Sequence, residues 1–186
     1  NGASWVTASS GLPTSDTRAL AVIGTTLFAG KYGNGGMFRS TNNGTSWSAT
    51  SALTDPYVYA LTVSGTNLFA GTDGSDGVYL STNNGANWVA AGSGLTNTRI
   101  RALNISGTNI FTGTFGGGVF LSTNNGTSWT PASSGLTNTY VNALAFSGTY
   151  LFAGTSGGGV WSRALSQMIS EVEESEFLPR HFVLGQ

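Results

Sequence analysis

The sequence predicts an all-β fold made of four repeated units, and three observations lead to this prediction. The octapeptide Ser40–Trp47 recurs as near copies at Ser81–Trp88 and Ser122–Trp129, and successive copies start 41 residues apart. A second landmark, Leu27-Phe28, has three later counterparts at spacings of 41, 42 and 41 residues. Gly, Asn, Ser and Thr punctuate each unit too often for a helical repeat. A period of about 40–45 residues with four strands per unit is typical of one blade, so we expect a four-bladed β-propeller.

Each unit divides into four short strands. In the second unit these are Val58–Val63, Leu68–Thr72, Val78–Ser81 and Asn87–Ala90. The last two strands flank Asn84-Gly85, and Asn-Gly between two strand-like runs is a strong hairpin signal because both turn residues need a positive φ. The sequence therefore predicts antiparallel blades of four strands.

The first residues predict how the ring closes. Ser4–Thr7 matches the fourth strand of a unit, and the last unit ends on its third strand at Gly159–Ser162. If these two segments pair, the N-terminal strand completes the last blade, four blades close, and two exposed sheet edges are hidden. The alternative is an open section of a larger propeller.

Composition and charge exclude several classes of protein. The net charge of −1 gives no electrostatic basis for binding nucleic acid or an anionic membrane. The chain has no cysteine, so it has no disulfide or thiolate metal site, and no apolar run is long enough for a transmembrane helix. No signal peptide is recognisable, and we expect that processing or truncation removed what preceded Asn1.

The repeated pattern Ser-x-Asn-x-Gly-x-x-Trp resembles the Asp-box, or BNR repeat, of sialidases, sortilin-like receptors and secreted bacterial propellers. Asn stands where that family usually has Asp. The resemblance implies a turn between the third and fourth strands of each blade. A fourth copy would be divided between the chain ends, with Arg163 at the Ser position and Gly2 and Trp5 at the close.

The residue types of this box predict a structural role. Ser and Asn side chains cap free backbone donors in a turn, Gly permits the bend, and Trp buries apolar area between blades. A carbohydrate-binding role for the tryptophans, Trp5 included, is the alternative. The predicted box residues are Ser40, Asn42, Gly44, Trp47, Ser81, Asn83, Gly85, Trp88, Ser122, Asn124, Gly126 and Trp129.

The units differ most in the loops that enter the first strand and leave the second strand. In a propeller these loops share one face, and loops that vary on a constant scaffold often bind ligands. A mixed charged and aromatic rim there would suit a glycan or a peptide; the alternative is an ordinary solvated surface. The candidate residues are Asp16, Arg18, Lys31, Tyr32, Asp55, Tyr57, Asp73, Asp76, Arg99, Phe115 and Tyr140.

Catalysis is not predicted. A sialidase needs an arginine cluster, a tyrosine nucleophile and paired acids, whereas the repeats contain no glutamate and lack the Phe-Arg-Ile-Pro signature of that family. The segment Asp73–Gly77 resembles a calcium loop without its closing glutamate, and His181 is the only histidine. We therefore expect no catalytic residue, no metal site and no cofactor.

The composition changes at the end of the repeats, which divides the chain into a propeller over residues 1–163 and an acidic linker with an extended tail over 164–186. All four glutamates lie in this second part. Leu165, Met168, Ile169 and Val172 fit one helical face, so a short helix is the alternative to a linker.

The segment Phe182–Gln186 resembles the strand that precedes a type IX secretion sorting domain. That resemblance implies a protein that is secreted, or attached to the cell surface, without membrane insertion. The expected function is a non-catalytic binding or adhesion module. The alternative is a structural subunit of an extracellular homopolymer, assembled through the propeller and an extended tail that packs on a neighbouring copy. The assembly residues would be Phe177, Leu178, Phe182, Val183 and Leu184.

Overall fold

The computed structural model describes residues 4–33, 35–50, 53, 55 and 57–177, which form fifteen strands in four antiparallel sheets and one helix. Blade 1 contains β1 (Thr17–Ile23), β2 (Thr26–Lys31), β3 (Met37–Ser40) and β4 (Ser48–Ala49). Blade 2 contains β5 (Val58–Ser64), β6 (Asn67–Thr72), β7 (Val78–Ser81) and β8 (Val89–Ala90). Blade 3 contains β9 (Ile100–Ser106), β10 (Asn109–Thr114), β11 (Gly118–Ser122) and β12 (Thr130–Pro131). Blade 4 contains β13 (Val141–Ser147), β14 (Tyr150–Thr155) and β15 (Gly159–Ala164), and α1 (Leu165–Phe177) follows.

The predicted fold class and number of blades are confirmed. Within each blade, sequence neighbours pair in order, so every blade is a simple antiparallel meander. The predicted strands of the second unit agree with β5 to β8, except that β8 begins two residues later than expected. The backbone NH of Asn87 donates to Oδ1 of Asn83, 2.9 Å away, and this side-chain bond extends the turn at the expense of the strand.

The box turn, the loop between the third and fourth strands of blades 1 to 3, has the predicted structural role. In blade 2, Oγ of Ser81 accepts the backbone NH of Gly85 at 2.9 Å and donates to Oδ1 of Asn83 at 3.1 Å. Asn84 and Gly85 have φ values of 54° and 75°, as an Asn-Gly hairpin requires. The same bonds occur in the other two copies.

The blades pack through a glycine in the second strand of one blade and a β-branched residue at the start of the next. A Cβ added at Gly30 would lie 2.6 Å from Cγ1 of Val58, and one at Gly71 would lie 2.4 Å from Cγ2 of Ile100. Both distances are shorter than van der Waals contact allows. Glycine is therefore required for this close approach, which recurs between blades 3 and 4 at Gly113.

The predicted closure of blade 4 by Ser4–Thr7 is wrong for the single chain. Blade 4 has three strands, Ser4–Thr7 is not a strand, and Trp5 is fully exposed instead of packed between blades. The first strands pack in the order β1, β5, β9 and β13, but no comparable packing joins β13 to β1. The following residues lie on blade 1, where Nε1 of Trp47 donates to the carbonyl of Ala8 at 2.8 Å.

The segment after blade 4 is a helix, the second of the two alternatives for its first part. Met168 and Val172 of α1 are buried against Phe111 and Leu121 of blade 3. Because β15 runs through Arg163 into α1, the predicted fourth box does not form there. Leu178, Phe182, Val183 and Leu184 lie outside the described residues. No helix in the described part of the chain is long and apolar enough to span a membrane.

Candidate loop-face binding site

At one end of the propeller, the starts of the first strands lie next to the ends of the second strands, and the side chains there vary between blades. Antiparallel pairing places the residue before each first strand beside the residue after each second strand. The backbone NH of Asp73 donates to the carbonyl of Tyr57 at 3.2 Å, and that of Phe115 donates to the carbonyl of Arg99 at 2.8 Å. A third position, the second residue of each first strand, points to the same end. We call the resulting aromatic and charged row the loop-face strip: Arg18, Tyr32, Tyr57, Tyr59, Asp73, Arg99, Arg101, Phe115 and Tyr140.

Three tyrosines and one arginine make up the part of the loop-face strip between blades 1 and 2. The ring centroid of Tyr32 lies 5.1 Å from that of Tyr57 and 5.4 Å from that of Tyr59. The guanidinium of Arg18 lies 5.2 Å from the Tyr32 ring and forms a 2.8 Å ion pair with Asp16. This packing leaves the Tyr57 ring about half exposed.

Arg101 occupies the centre of the loop-face strip. Its guanidinium lies 3.7 Å from the ring centroid of Tyr59, a cation–π contact, and 5.3 Å from that of Phe115. Nη2 of Arg101 also donates to Oδ2 of Asp73 at 3.1 Å. The central arginine therefore connects the aromatic groups of neighbouring blades.

The remaining part of the loop-face strip continues toward blade 4. The guanidinium of Arg99 lies 4.7 Å from the Phe115 ring, while its Nε donates to Oδ1 of Asp73 at 2.9 Å. Phe115 and Tyr140 make an edge-to-face contact at 4.9 Å. The Tyr140 ring and the Arg99 side chain are each about half exposed, so both are accessible to a ligand.

The charges of the loop-face strip are fixed by their partners. Burial alone would raise the pKa of the Asp73 carboxyl, but hydrogen bonds and ion pairs with Arg99 and Arg101 outweigh it and hold that pKa below 3.8. Burial also raises the pKa of Tyr59, against the opposing charge of Arg101, so this tyrosine stays neutral at physiological pH. The hydrogen bond to Asp73 raises the pKa of Arg99.

Three predicted candidate residues lie apart from the loop-face strip. Lys31 is buried, and its Nζ donates to the carbonyl of Ser15 and, at 2.9 Å, to Oγ1 of Thr17. Asp55 is buried too. Asp76 accepts the Tyr79 hydroxyl at 2.7 Å on the outer side of its loop. These side chains stabilise loops; the other candidates lie in the loop-face strip or, for Asp16, pair with it.

Tyr59 and Arg101 were missing from the predicted candidates because they lie inside first strands, where core residues are expected. A signal was present: the residue after each first-strand start is Arg18, Tyr59, Arg101 or Asn142, whereas an alanine follows it in every unit. A position that varies next to the constant Ala-Leu pair therefore marks a side chain outside the hydrophobic clusters of the blades. Within the described residues, no group of three or more His, Cys, Asp or Glu side chains is arranged to hold a metal ion.

The fold and the loop-face strip define a β-propeller that presents an aromatic and cationic surface at one end. No family model and no curated protein sequence matches the chain, but solved structures do. The designed Ika4 protein is 17% identical with a TM-score of 0.68, and the match covers 87% of this chain and 99% of that one. YCF48 bound to D1 peptide is 17% identical with a TM-score of 0.58, covering 82% of this chain and 50% of that one.

Two other similar structures differ in the role that their descriptions give. A chain of a nidogen/laminin complex is 13% identical with a TM-score of 0.68, covering 84% of this chain and 64% of that one. A GH74 enzyme from Niastella koreensis is 26% identical with a TM-score of 0.55, covering 76% of this chain and 22% of that one. This chain thus spans half of the matched YCF48 chain and less than two thirds of the nidogen/laminin one. The likeness establishes the β-propeller fold.

Proposed function

We propose that this chain is a non-catalytic binding module that recognises a polypeptide segment through the loop-face strip. The observation that carries the proposal is the continuous row of tyrosine, phenylalanine and arginine side chains that contact one another across the blades. The positions that build each blade repeat, whereas each position of the strip carries three or four different residue types over the four blades. Such a surface is formed by residues that the fold leaves free to vary, which is where binding residues concentrate.

The residue types favour a peptide over other ligands. Tyrosine and arginine dominate the residues that contribute most to protein–protein binding, because rigid rings and planar guanidinium groups give large contact areas at low entropic cost. Three arginines face two aspartates, Asp16 and Asp73, in and beside the strip, which leaves one positive charge in excess. We therefore expect a segment with aromatic and acidic side chains. YCF48, a propeller of similar fold, binds a peptide, which supports this ligand class.

The electrostatics of the loop-face strip support a role other than glycoside hydrolysis. Hydrolysis of a glycosidic bond requires a carboxylic acid with a raised pKa to protonate the leaving group. Asp73 is the carboxylate inside the strip, and the pKa of Asp73 is lowered by its two arginine partners. An ionised carboxylate held by two guanidinium groups orients those groups and does not donate a proton.

We also propose that the protein acts outside the cell, as a secreted or surface-attached module for adhesion. Two resemblances support this location: the three Asp-box-like turns and the segment Phe182–Gln186 before a type IX sorting domain. The absence of cysteine is compatible with an oxidising environment. Fractionation of a native host that expresses the gene, followed by detection in the medium and on intact cells, would test the location.

A display library of random twelve-residue peptides, selected on the immobilised chain, tests the binding function. Enriched peptides should bind Tyr57→Ala and Arg99→Ala at least about tenfold more weakly, the loss expected when an interface residue of high contribution is truncated. Tyr150→Ala is the matched control, because Tyr150 is similarly exposed but lies at the opposite end of its blade.

The affinities should be compared by titration calorimetry with correctly folded variants. Equal loss with Tyr150→Ala, or no loss with either strip variant, would contradict the site. A library that yields no peptide, while an array of acidic glycans yields ligands sensitive to Tyr57→Ala, would keep the site and overturn the ligand class.

A further inference from the structure

Blades 3 and 4, together with α1, line an open pocket, here called the blade 3–4 pocket, with a volume of about 280 Å³. Val119, Ala132 and Leu136 of blade 3 form one wall, and Trp161 and Met168 line the opposite side. The corresponding space between blades 2 and 3 is filled. The side chain that fills the space between blades 2 and 3 therefore indicates which side chain would fit the blade 3–4 pocket.

Trp129 occupies the corresponding space between blades 2 and 3. The indole packs in one cluster with Val78 and Ala91, is 3% exposed, and donates from Nε1 to the carbonyl of Ala91 at 2.6 Å. Val78 and Ala91 stand at the repeat positions of Val119 and Ala132. The blade 3–4 pocket is thus the site of a fourth box tryptophan.

Two glycines at the same repeat position confirm that the pocket is unfilled. A Cβ added at Gly94 would lie 2.3 Å from the backbone oxygen of Trp129, so the neighbouring turn presses on this glycine. A Cβ added at Gly135 meets nothing within 4 Å. The difference is the missing segment that would carry the tryptophan.

Trp5 is the tryptophan that the repeat assigns to this pocket, and in the single chain it is fully exposed. The residues after it lie against blade 1 as the end of a blade normally does. The backbone NH of Trp47 donates to the carbonyl of Ser10 at 2.9 Å, as that of Trp129 does to the carbonyl of Ser93. The segment Ser4–Thr7 is therefore held next to blade 1 at the position of a fourth strand. The three strands with which a fourth strand would form a blade are missing there.

Blade 4 of the same chain does not pair with the segment Ser4–Thr7. The same close glycine contact recurs at all three interfaces between the four blades, and β13 does not pack on β1 in a comparable way. Ala8, which is bonded to blade 1, follows Trp5 by three positions, and an extended stretch of three residue steps spans about 10 Å. Both surfaces left at this gap are apolar: Leu20 of β1 is 66% exposed and Val160 of β15 is 73% exposed.

We propose that the segment Ser4–Thr7 of a second copy of this chain completes blade 4, with Trp5 of that copy filling the blade 3–4 pocket. The contact continues the blade interfaces that already exist inside the chain. Leu103 packs on Gly71 across one such interface, and Leu20 stands at the repeat position of Leu103. Leu20 of the second copy therefore packs on Gly154 of blade 4.

The register of this contact follows from blade 2, where Leu80 pairs with Val89 and Tyr79 with Ala90. The equivalent pairs place Ser162 of one copy beside Val6 of the other, and Trp161 beside Thr7. Each copy has one blade 4 to be completed and one segment to donate. Two such contacts, related by a two-fold axis, complete blade 4 of both copies and use the N-terminal segment of both. Two copies therefore close a ring of eight blades.

Light scattering on the 186-residue chain gives the first test. We expect a mass of twice 19.1 kDa for the unchanged chain and of 19.1 kDa for Trp5→Ala. Because Trp5 is exposed in the single chain, this variant keeps the fold of the blades. Val89→Ala is the matched control: Val89 follows the box tryptophan of blade 2 and is also exposed, so the dimer should persist.

Disulfide trapping identifies the contact itself, since the chain has no native cysteine. Val6→Cys and Ser162→Cys chains, prepared separately and mixed under mild oxidation, should form a disulfide-linked pair. A mixture of Val89→Cys with Ser162→Cys should not, because Val89 lies within its own blade.

Several outcomes would overturn the proposal. A monomer whose Val6→Cys/Ser162→Cys double variant forms an internal disulfide would show closure by its own segment. A monomer in which Val6→Cys and Ser162→Cys form no disulfide would show that Ser4–Thr7 does not fill the pocket of any copy. An open-ended series of masses would contradict the two-copy ring, and a dimer lost on removal of residues 178–186 but not in Trp5→Ala would assign assembly to the tail.

Discussion

The two ends of the propeller are built by opposite rules. At the end formed by the box turns, three loops repeat the same residues and make the same hydrogen bonds, to within a few tenths of an ångström. At the other end, three equivalent positions in each blade carry different side chains. Tyr57, Arg99 and Tyr140 all precede a first strand, yet each makes its own contacts.

The difference follows from how each end satisfies its backbone. In a box turn, two consecutive residues have positive φ, and the serine and asparagine side chains accept backbone NH groups, so several residue types are fixed at once. At the loop face, main-chain hydrogen bonds between strand ends hold the structure, and the side chains point away from them. Substitutions at the box end should therefore affect stability, and substitutions at the loop face should affect binding.

The largest effect on stability is expected for Ser81→Ala. Oγ of this buried serine accepts the backbone NH of Gly85 and donates to Asn83, so its removal leaves a buried donor without a partner. Such a loss costs about 1–3 kcal/mol in the free energy of unfolding. Urea denaturation would measure it, with Thr82→Ala in the same turn as the exposed control.

A cost of less than about 0.5 kcal/mol for Ser81→Ala, within the range of ordinary surface substitutions, would contradict this division between the two ends. The turn would then be held by the positive φ of Asn84 and Gly85 alone. In that case Gly85→Ala, rather than the serine variant, would show the larger loss.

The fold was predictable because the repeated positions are those that the blades require. The Asn-Gly turns, the box serines and the strands of blade 2 follow from local chemistry, and the structure agrees with them except at the boundaries of the strands, most of all at the start of β8. The N-terminal closure was not predictable, because it depends on how the three blade interfaces together orient the first and last blades. In the folded chain Trp5 is exposed and away from β15, while the residues after Thr7 bond to blade 1 through the carbonyls of Ala8 and Ser10.

The location of the loop-face strip was predictable from the sequence, but not all of its residues were. Loop positions led to Tyr57 and Arg99, which lie in the loop-face strip. The same argument also selected Lys31, which is buried and bonded to Thr17, because sequence alone does not show which polar loop side chains turn inward. Tyr59 and Arg101 were missed for the converse reason: they belong to strands, but their side chains lie in the loop-face strip and not in the hydrophobic clusters of the blades.

Asp55→Asn should raise the free energy of unfolding, by an amount smaller than the loss expected for Ser81→Ala. Asn97 and Asn138, at the same repeat position, donate from Nδ2 to the carbonyls of Phe115 and Ser156 at 3.3 and 2.9 Å. Oδ2 of Asp55 is buried and has no hydrogen-bond partner among the described residues. An amide there would donate to the carbonyl of Asp73 and add about 1 kcal/mol to the free energy of unfolding.

Thermal unfolding at neutral pH would measure this gain, with Asp76→Asn as the control, because Asp76 already accepts a hydrogen bond from Tyr79. A loss of stability in Asp55→Asn would mean that the carboxylate is required at this site. It would also mean that the loop-face end, like the box end, fixes its residue types for structural reasons.

The smallest effect is expected for the ion pairs of Asp73, and it depends on pH. Because the pKa of Asp73 is lower in the folded chain than its ordinary value of 3.8, the stabilisation is complete above that value and is lost as the pH falls below it. Arg99 is half exposed, so at neutral pH we expect Asp73→Asn to cost less than about 1 kcal/mol. Chemical denaturation between pH 6 and pH 3 should show that the difference in the free energy of unfolding between the unchanged chain and Asp73→Asn shrinks as the pH falls.

Asp16→Asn is the matched control for the change in charge, since Asp16 pairs with a single arginine at the exposed rim. A difference that stays constant down to pH 3 would show that the Asp73 side chain contributes through packing, and that the loop-face strip is held by its aromatic contacts without its central charges.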